Sequence, residues 1–220
     1  MKTLLSHTYD EIVSLDNLCA AWDEFLVGKR GKPDVQIFAR NLADNIVQLH
    51  HDLADGSYQH GGYYAFRIAD PKPREIHKAS VRDRLVHHAV YRVLYPFFDR
   101  TFISDSYSCR IDKGTHRALR CFDAFAYRVS HNHHRICWVL KCDIKKFFAS
   151  IEHQKLIAIL RAYISDERII ALLEHIIVSF EVRSGVGLPL GNLTSQLFTN
   201  VYMNEFDQFV KHQLKAKFYI

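Results

Sequence analysis

No C-x-x-C pair occurs in this 220-residue chain, whose five cysteines (Cys19, Cys109, Cys121, Cys137 and Cys142) are scattered. A disulfide framework or zinc knuckle is therefore not expected, and a reducing, cytoplasmic setting fits. There is no run of about 18 apolar residues, so no membrane span is expected. The opening Met1-Lys2-Thr3-Leu4-Leu5-Ser6-His7 lacks an apolar stretch followed by a small-residue cleavage site, which argues against secretion. Internal repeats and low-complexity tracts are missing too. At 13% aromatic residues the chain carries too much ring surface for disorder to be its main state. What is present, 48% hydrophobic and 24% charged residues, is a globular composition with room for one large domain or two small ones.

The net charge of +5 is unevenly spread. Between Arg67 and Arg120 twelve Lys/Arg face six Asp/Glu, a surplus of six, and the remainder of the chain sums to −1. Such a block suits a polyanionic partner, and equally a solvated charged face.

Hydrophobic spacing predicts helices over 15–27, from Pro33 to a C-cap at Gly56, over 81–98, and from Thr115 to Ser130. It predicts further helices over 153–163, 166–180 and 192–214. Alternation at Tyr64, Phe66 and Ile68 predicts a strand, and a turn at Pro71-Lys72-Pro73 leads to a second strand through Ile76, making a hairpin. Another strand is expected over 136–143, and one begins at Phe218-Tyr219-Ile220. Helices with short strands between them define an α+β or α/β chain.

Two segments carry chemistry. In Leu140-Lys141-Cys142-Asp143-Ile144-Lys145-Lys146-Phe147-Phe148, an apolar strand delivers a carboxylate, a basic pair and two rings. Asp143 there suits either a Mg²⁺ ligand or a cap of the next turn. In Gly187-Leu188-Pro189-Leu190-Gly191-Asn192-Leu193-Thr194-Ser195-Gln196, glycines precede a helix N-terminus. That arrangement suits close approach of an anionic ligand, and equally an ordinary helix-opening loop. The histidines of His131-Asn132-His133-His134 have no nearby cysteine and read as a surface loop rather than zinc ligands. Glu152-His153 read as a helix start. His87-His88 suit phosphate contact or core-edge packing.

Taken together, with Asp143 and Gly191 48 residues apart, the two segments resemble motifs A and B of reverse transcriptases. Pro73-Arg74-Glu75-Ile76, Val81-Arg82-Asp83-Arg84-Leu85-Val86-His87-His88-Ala89, Ser106-Tyr107-Ser108-Cys109-Arg110 and Lys113-Gly114-Thr115-His116 resemble the fingers motifs of that family. Leu190-Gly191-Asn192-Leu193-Thr194-Ser195-Gln196 is most similar to motif B of the enzymes of diversity-generating retroelements. Group II intron and retroviral enzymes typically place Gln before that glycine and Ser-Pro after it.

The resemblance implies an α+β fold, the fingers and partial palm of a right-hand polymerase with a small antiparallel sheet and no thumb. It divides the chain into an N-terminal helical extension (1–60), fingers (61–135) and a partial palm (136–220). It implies Mg²⁺-dependent nucleotidyl transfer from dNTPs to a primer on an RNA template, with Asp143 catalytic and, with the Ile144 carbonyl, a metal ligand. Lys72 and Arg74 would contact the triphosphate, Phe148 would exclude a ribose 2′-hydroxyl, and Leu190 and Gly191 would line the nucleotide pocket. Lys78, Arg82, Arg84, Arg110, Ser195 and Gln196 would meet template and primer. An accessory protein is an expected partner, as is self-association through an uncovered edge of the 136–143 strand. The family's aromatic-x-Asp-Asp motif has no counterpart here, since no Asp-Asp pair occurs. The resemblance puts it just after Lys217-Phe218-Tyr219-Ile220, which leaves the two-metal site incomplete and these residues inactive by themselves. The alternatives are a non-catalytic nucleic-acid- or partner-binding chain, and a group II intron-like or phage-defence reverse transcriptase.

Overall fold

A computed structural model of the chain describes residues 3–69 and 72–220. Four short helices open it: α1 (Tyr9–Val13), α2 (Leu15–Leu26), α3 (Pro33–Ala39) and α4 (Leu42–Ala54). Their starts are coded locally. Thr8 and Glu11 form a reciprocal capping box on α1, and the Asn17 amide donates to the Ser14 hydroxyl at the head of α2. Pro33 occupies the first turn of α3, where its missing N–H costs nothing. Gly56 follows the end of α4 at φ 77°, as expected of a C-terminal glycine.

The expected hairpin is present. Strands β1 (Tyr64–Ala69) and β2 (Pro73–Lys78) pair antiparallel, with Phe66 opposite Ile76 and Ile68 opposite Arg74. Asp70 and Pro71 of the predicted turn lie outside the described residues. The hairpin leads into α5 (Val81–Asp99), the centre of the molecule, whose Leu85, Val90, Leu94 and Phe98 are essentially fully buried. Against it pack α2, through Leu18 and Phe25, and α10 (Leu193–Gln208), through Leu197 and Phe198. Helices α8 (His153–Arg161) and α9 (Glu167–Val178) complete the same core. The Asp166 carboxylate caps α9 and also accepts the Tyr9 amide, so it joins α1 to α9. The predicted 192–214 helix is α10 followed by a π-helical turn at Phe209–Gln213.

Helix α6 (Thr115–Val129) stands apart from the other long helices, because none of its residues is buried. Its apolar stripe is intact in sequence, but Leu119, Phe122 and Val129 face solvent. Phe125 meets the ring of Phe218 at 5.3 Å.

A buried polar network holds the root of the hairpin. The Asp83 carboxylate is 1% exposed and accepts from the Tyr58 and Ser80 hydroxyls and the Gly61 amide. Beside it the His60 and His87 rings stack with Nε2 atoms 3.1 Å apart, and the His60 amide donates to His175 Nε2. Two nitrogens so close leave room for one proton between them. Burial first, and then the charge of His60, push His87 down to about 3 against the opposing pull of Asp83. Burial likewise pushes His88 down to about 4, and lowers His175.

The unfolded chain takes up these protons near pH 6.5 and the folded chain refuses them, so stability is full above that pH and falls as pH drops through it. The limiting slope is about 1.4 kcal/mol per pH unit for His87, with a smaller share from the partly exposed His88. Carboxylates held low by cations, such as Asp99 beside Arg110, act only below about pH 4. Urea midpoints are therefore expected to decline between pH 6.5 and 5, and His87→Gln is expected to flatten that decline. An unchanged slope in the variant would show that His87 is not its source.

Candidate functional site

The segment carrying Asp143 is not a strand. Residues 136–144 run without a ladder partner, and among the described residues β1 and β2 form the one sheet. A strand exists only with a partner, and none reaches this segment, so the expected strand is absent and its residues stand open. Ile136 is 81% exposed, and Trp138 and Leu140 are each 90% exposed. Phe218-Tyr219-Ile220 is likewise not a strand. Instead the Tyr219 hydroxyl donates to Asp207, whose carboxyl burial pushes up.

After Asp143 the backbone turns through Lys146 at φ 53° into α7 (Phe147–Ser150). There Phe147 and Phe148 pack half-buried against the core. Asp143 and Ile144 are exposed. A carboxylate and a main-chain carbonyl are hard oxygen donors of the kind Mg²⁺ takes. They fall short in number, since among the described residues no group of three or more His, Cys, Asp or Glu is placed to hold a metal ion.

The loop 183–192 is tied at both ends. A tight reversal, with the Val182 amide donating to the Val186 carbonyl, delivers Gly187 at φ 119°. The Gly187 amide donates to the Ile151 carbonyl and the Leu188 amide to the Phe148 carbonyl, at 2.9 and 2.8 Å. Buried His153 donates from Nε2 to the Gly187 carbonyl at 2.7 Å, and its amide donates to that of Gly185. At the far end the Leu190 carbonyl accepts the His77 amide of β2 at 2.9 Å. Gly191, at φ 102°, passes so close to β2 that a Cβ would sit 2.7 Å from Ile76 Cγ2. Backbone bonds thus connect Phe148, Leu190 and the strand bearing Arg74. Neither Ile76 nor His153 carries a sequence signal for this role, since the contacts span more than a hundred and more than thirty residues respectively.

The basic residues divide differently from the sequence expectation. Lys78 and Arg84 both pair with Asp34, and Arg82 pairs with Asp52. Partial burial raises the Asp34 carboxyl, but its two cations outweigh this and hold it below the ordinary range. Arg110 has a side chain 6% exposed and is committed to Asp99 and to the carbonyls of Ile103 and Ser106. These cations hold the fold together. Lys72 and Arg74 are exposed on the hairpin with no ion pair among the described residues, as are Lys145 and Lys146 after Asp143. Ser195, 2% exposed, is packed inside α10, and Gln196 is half-buried. Leu190 is half-buried and Gly191 exposed. His87 belongs to the core, and His153 opens α8 behind Glu152.

A helix-rich chain whose basic hairpin is bonded to a glycine loop beside an aspartate-bearing segment is the fingers-and-palm arrangement of a polymerase. The chain belongs to the reverse transcriptase (RNA-dependent DNA polymerase) family, whose profile matches residues 69–220. It is 30% identical over 179 residues to Protein YkfC of Escherichia coli, covering 77% of this chain and 46% of that protein. It is 25% identical over 184 residues to the group II intron-encoded protein LtrA of Lactococcus lactis, covering 80% of this chain and 29% of that one. The chain thus spans less than half the length of either relative. Among solved structures, a chain of the partial Cas6-RT-Cas1–Cas2 complex superposes with a TM-score of 0.56 at 22% identity, over 94% of this chain and 35% of that one. That likeness establishes the fold. No helix among the described residues is long and apolar enough to cross a membrane.

Proposed function

We propose that these residues are the fingers and part of the palm of an RNA-directed DNA polymerase that extends a primer from dNTPs on an RNA template. Residues 1–60 act as a helical extension, 61–135 as fingers and 136–220 as partial palm. The observation that carries this reading is the loop 187–191, bonded to Phe148 on one side and to the Arg74 strand on the other. A nucleotide seated on Leu190 and Gly191 would have Phe148 at its sugar and Lys72 and Arg74 at its phosphates. Cations there stabilise charge on the transferring phosphoryl group. Asp143 and the Ile144 carbonyl would be this chain's share of a Mg²⁺ site, and the ion would supply activation of the attacking 3′-hydroxyl.

Residues 1–220 by themselves are expected to incorporate no nucleotide, because they contain one motif A aspartate and no Asp-Asp pair. Incorporation that Asp143→Ala abolishes would overturn this. In primer extension by the full-length protein, Phe148→Ala is expected to admit ribonucleotides. Unchanged sugar discrimination would remove Phe148 from the site.

Nucleic-acid binding separates the two kinds of cation. Arg74→Ala is expected to reduce the slope of log K against log salt by roughly 0.7–0.9 and leave stability intact. Arg110→Ala is expected to cost about 1–3 kcal/mol of stability, because it removes the partner of Asp99 and leaves three carbonyl acceptors unpaired.

The resemblance of Leu190 through Gln196 to motif B supports a diversity-generating retroelement. The match to LtrA supports the second reading, a group II intron-type enzyme. The multiprotein assembly around the solved neighbour supports an accessory protein as partner.

A further inference from the structure

Asn192 stands at the N-cap position of α10 with extended backbone, φ −106° and ψ 144°, yet its side chain caps nothing. Asn is among the best N-cap residues because its Oδ1 accepts one of the helix's free amides. Here Oδ1 is buried without a partner, although the residue is 2% exposed. The side chain is turned the other way, and Nδ2 donates to the His77 carbonyl at 2.9 Å. The His77 amide in turn donates to the Leu190 carbonyl. Both main-chain groups of His77 that face away from β1 are therefore engaged, as if the loop were a third strand. The loop backbone supplies the acceptor and the Asn192 amide supplies the donor.

We propose that Asn192 is a positioning residue that gives up helix capping to clamp β2 onto the 187–191 loop. Arg74 lies three residues before His77 on the same strand, so the clamp sets the distance between the triphosphate contact and the pocket wall. The consequence for catalysis rests on the polymerase reading, whereas the clamp itself does not.

Asn192→Asp separates clamp from cap. Aspartate is isosteric and caps a helix at least as well, with its charge favoured at the N-terminus. It has no N–H to donate, and it sets a carboxylate against the His77 carbonyl. A capping role therefore leaves Asn192→Asp neutral or stabilised, while a clamp is lost in it.

Hydrogen exchange on the full chain reads this directly. Amides of 64–78 are expected to exchange about tenfold faster in Asn192→Asp, with α5 and α9 protection unchanged. Where Asn192→Ala fails to fold, the aspartate variant still decides. Unchanged hairpin protection, or equal loss of protection in every element, would overturn the clamp. In primer extension by the full-length protein, Asn192→Asp is expected to raise KM for dNTP about tenfold with a smaller change in kcat. Faster hairpin exchange with no effect on KM would keep the clamp and refute the polymerase consequence, whereas a fall in kcat alone would refute the positioning role.

Discussion

Purified residues 1–220 are expected to scatter light as dimers or larger species, with mass rising over a concentration series. Ile136, Trp138 and Leu140 project from a segment that has no ladder partner and are almost wholly exposed. The uncovered stripe of α6, with Leu119 and Phe122, adds to the apolar surface. Burying a large apolar side chain contributes about 1.5–3 kcal/mol, so three residues on each of two copies contribute roughly 9–18 kcal/mol. That is of the same size as an association cost of about 4–15 kcal/mol and exceeds it at full burial. Unpaired N–H and C=O groups along 136–144 give the contact direction, since extended backbone with open hydrogen-bonding groups pairs readily with another chain. Trp138→Lys combined with Leu140→Lys is expected to restore a monomer without loss of helix content. A monodisperse wild-type monomer at the highest concentration, with 136–144 still open, would refute the argument.

Alanine at Gly187 or Gly191 is expected to destabilise the chain by about 2–5 kcal/mol. Each glycine sits at a positive φ that side chains rarely adopt, at roughly 1–2 kcal/mol. Each also lacks room. At Gly191 a Cβ would stand 2.7 Å from Ile76 Cγ2, a methyl on a β-branched side chain that is stiff about χ1. At Gly187 it would meet Val182 Cγ2 at 2.9 Å and the Val182 backbone nitrogen at 3.0 Å, an atom in a tight turn that has nowhere to move. Overpacking of this kind costs about 1–3 kcal/mol.

The two sites differ in rescue. Ile76→Ala is expected to recover part of the Gly191→Ala loss, whereas Val182→Ala recovers little at Gly187 because a backbone clash remains. Urea melts of the single and double variants give the coupling directly. Additive losses at 76 and 191 would show that the strand and the loop are not in contact.

Most long helices were legible without the fold, although the one expected from Pro33 to Gly56 breaks at Arg40-Asn41 into α3 and α4. Pro33 and Gly56 stand where a helix start and a C-cap were expected, and α2, α5, α6, α8, α9 and α10 follow from apolar spacing. The hairpin was legible as well, because its strands are neighbours in sequence joined by a short turn. These features rest on bonds that close within a few residues, so the chain specifies them locally. The motif residues around Asp143 and Gly191 were readable for the same reason, being contiguous.

Tertiary structure decided the rest. Arg82, Arg84, Lys78 and Arg110 look like an open basic face in sequence, but Asp34, Asp52 and Asp99 claim them, two of these acids from helices that precede the hairpin. Nothing near Asn192 announces that its amide will cross 115 residues to His77. Ile136 through Asp143 has every local mark of a strand, yet among the described residues it has no ladder partner, whereas α6 forms with no residue fully buried. A helix satisfies its amides from its own carbonyls, four residues back. A strand satisfies them only from a second segment, which its own sequence does not supply.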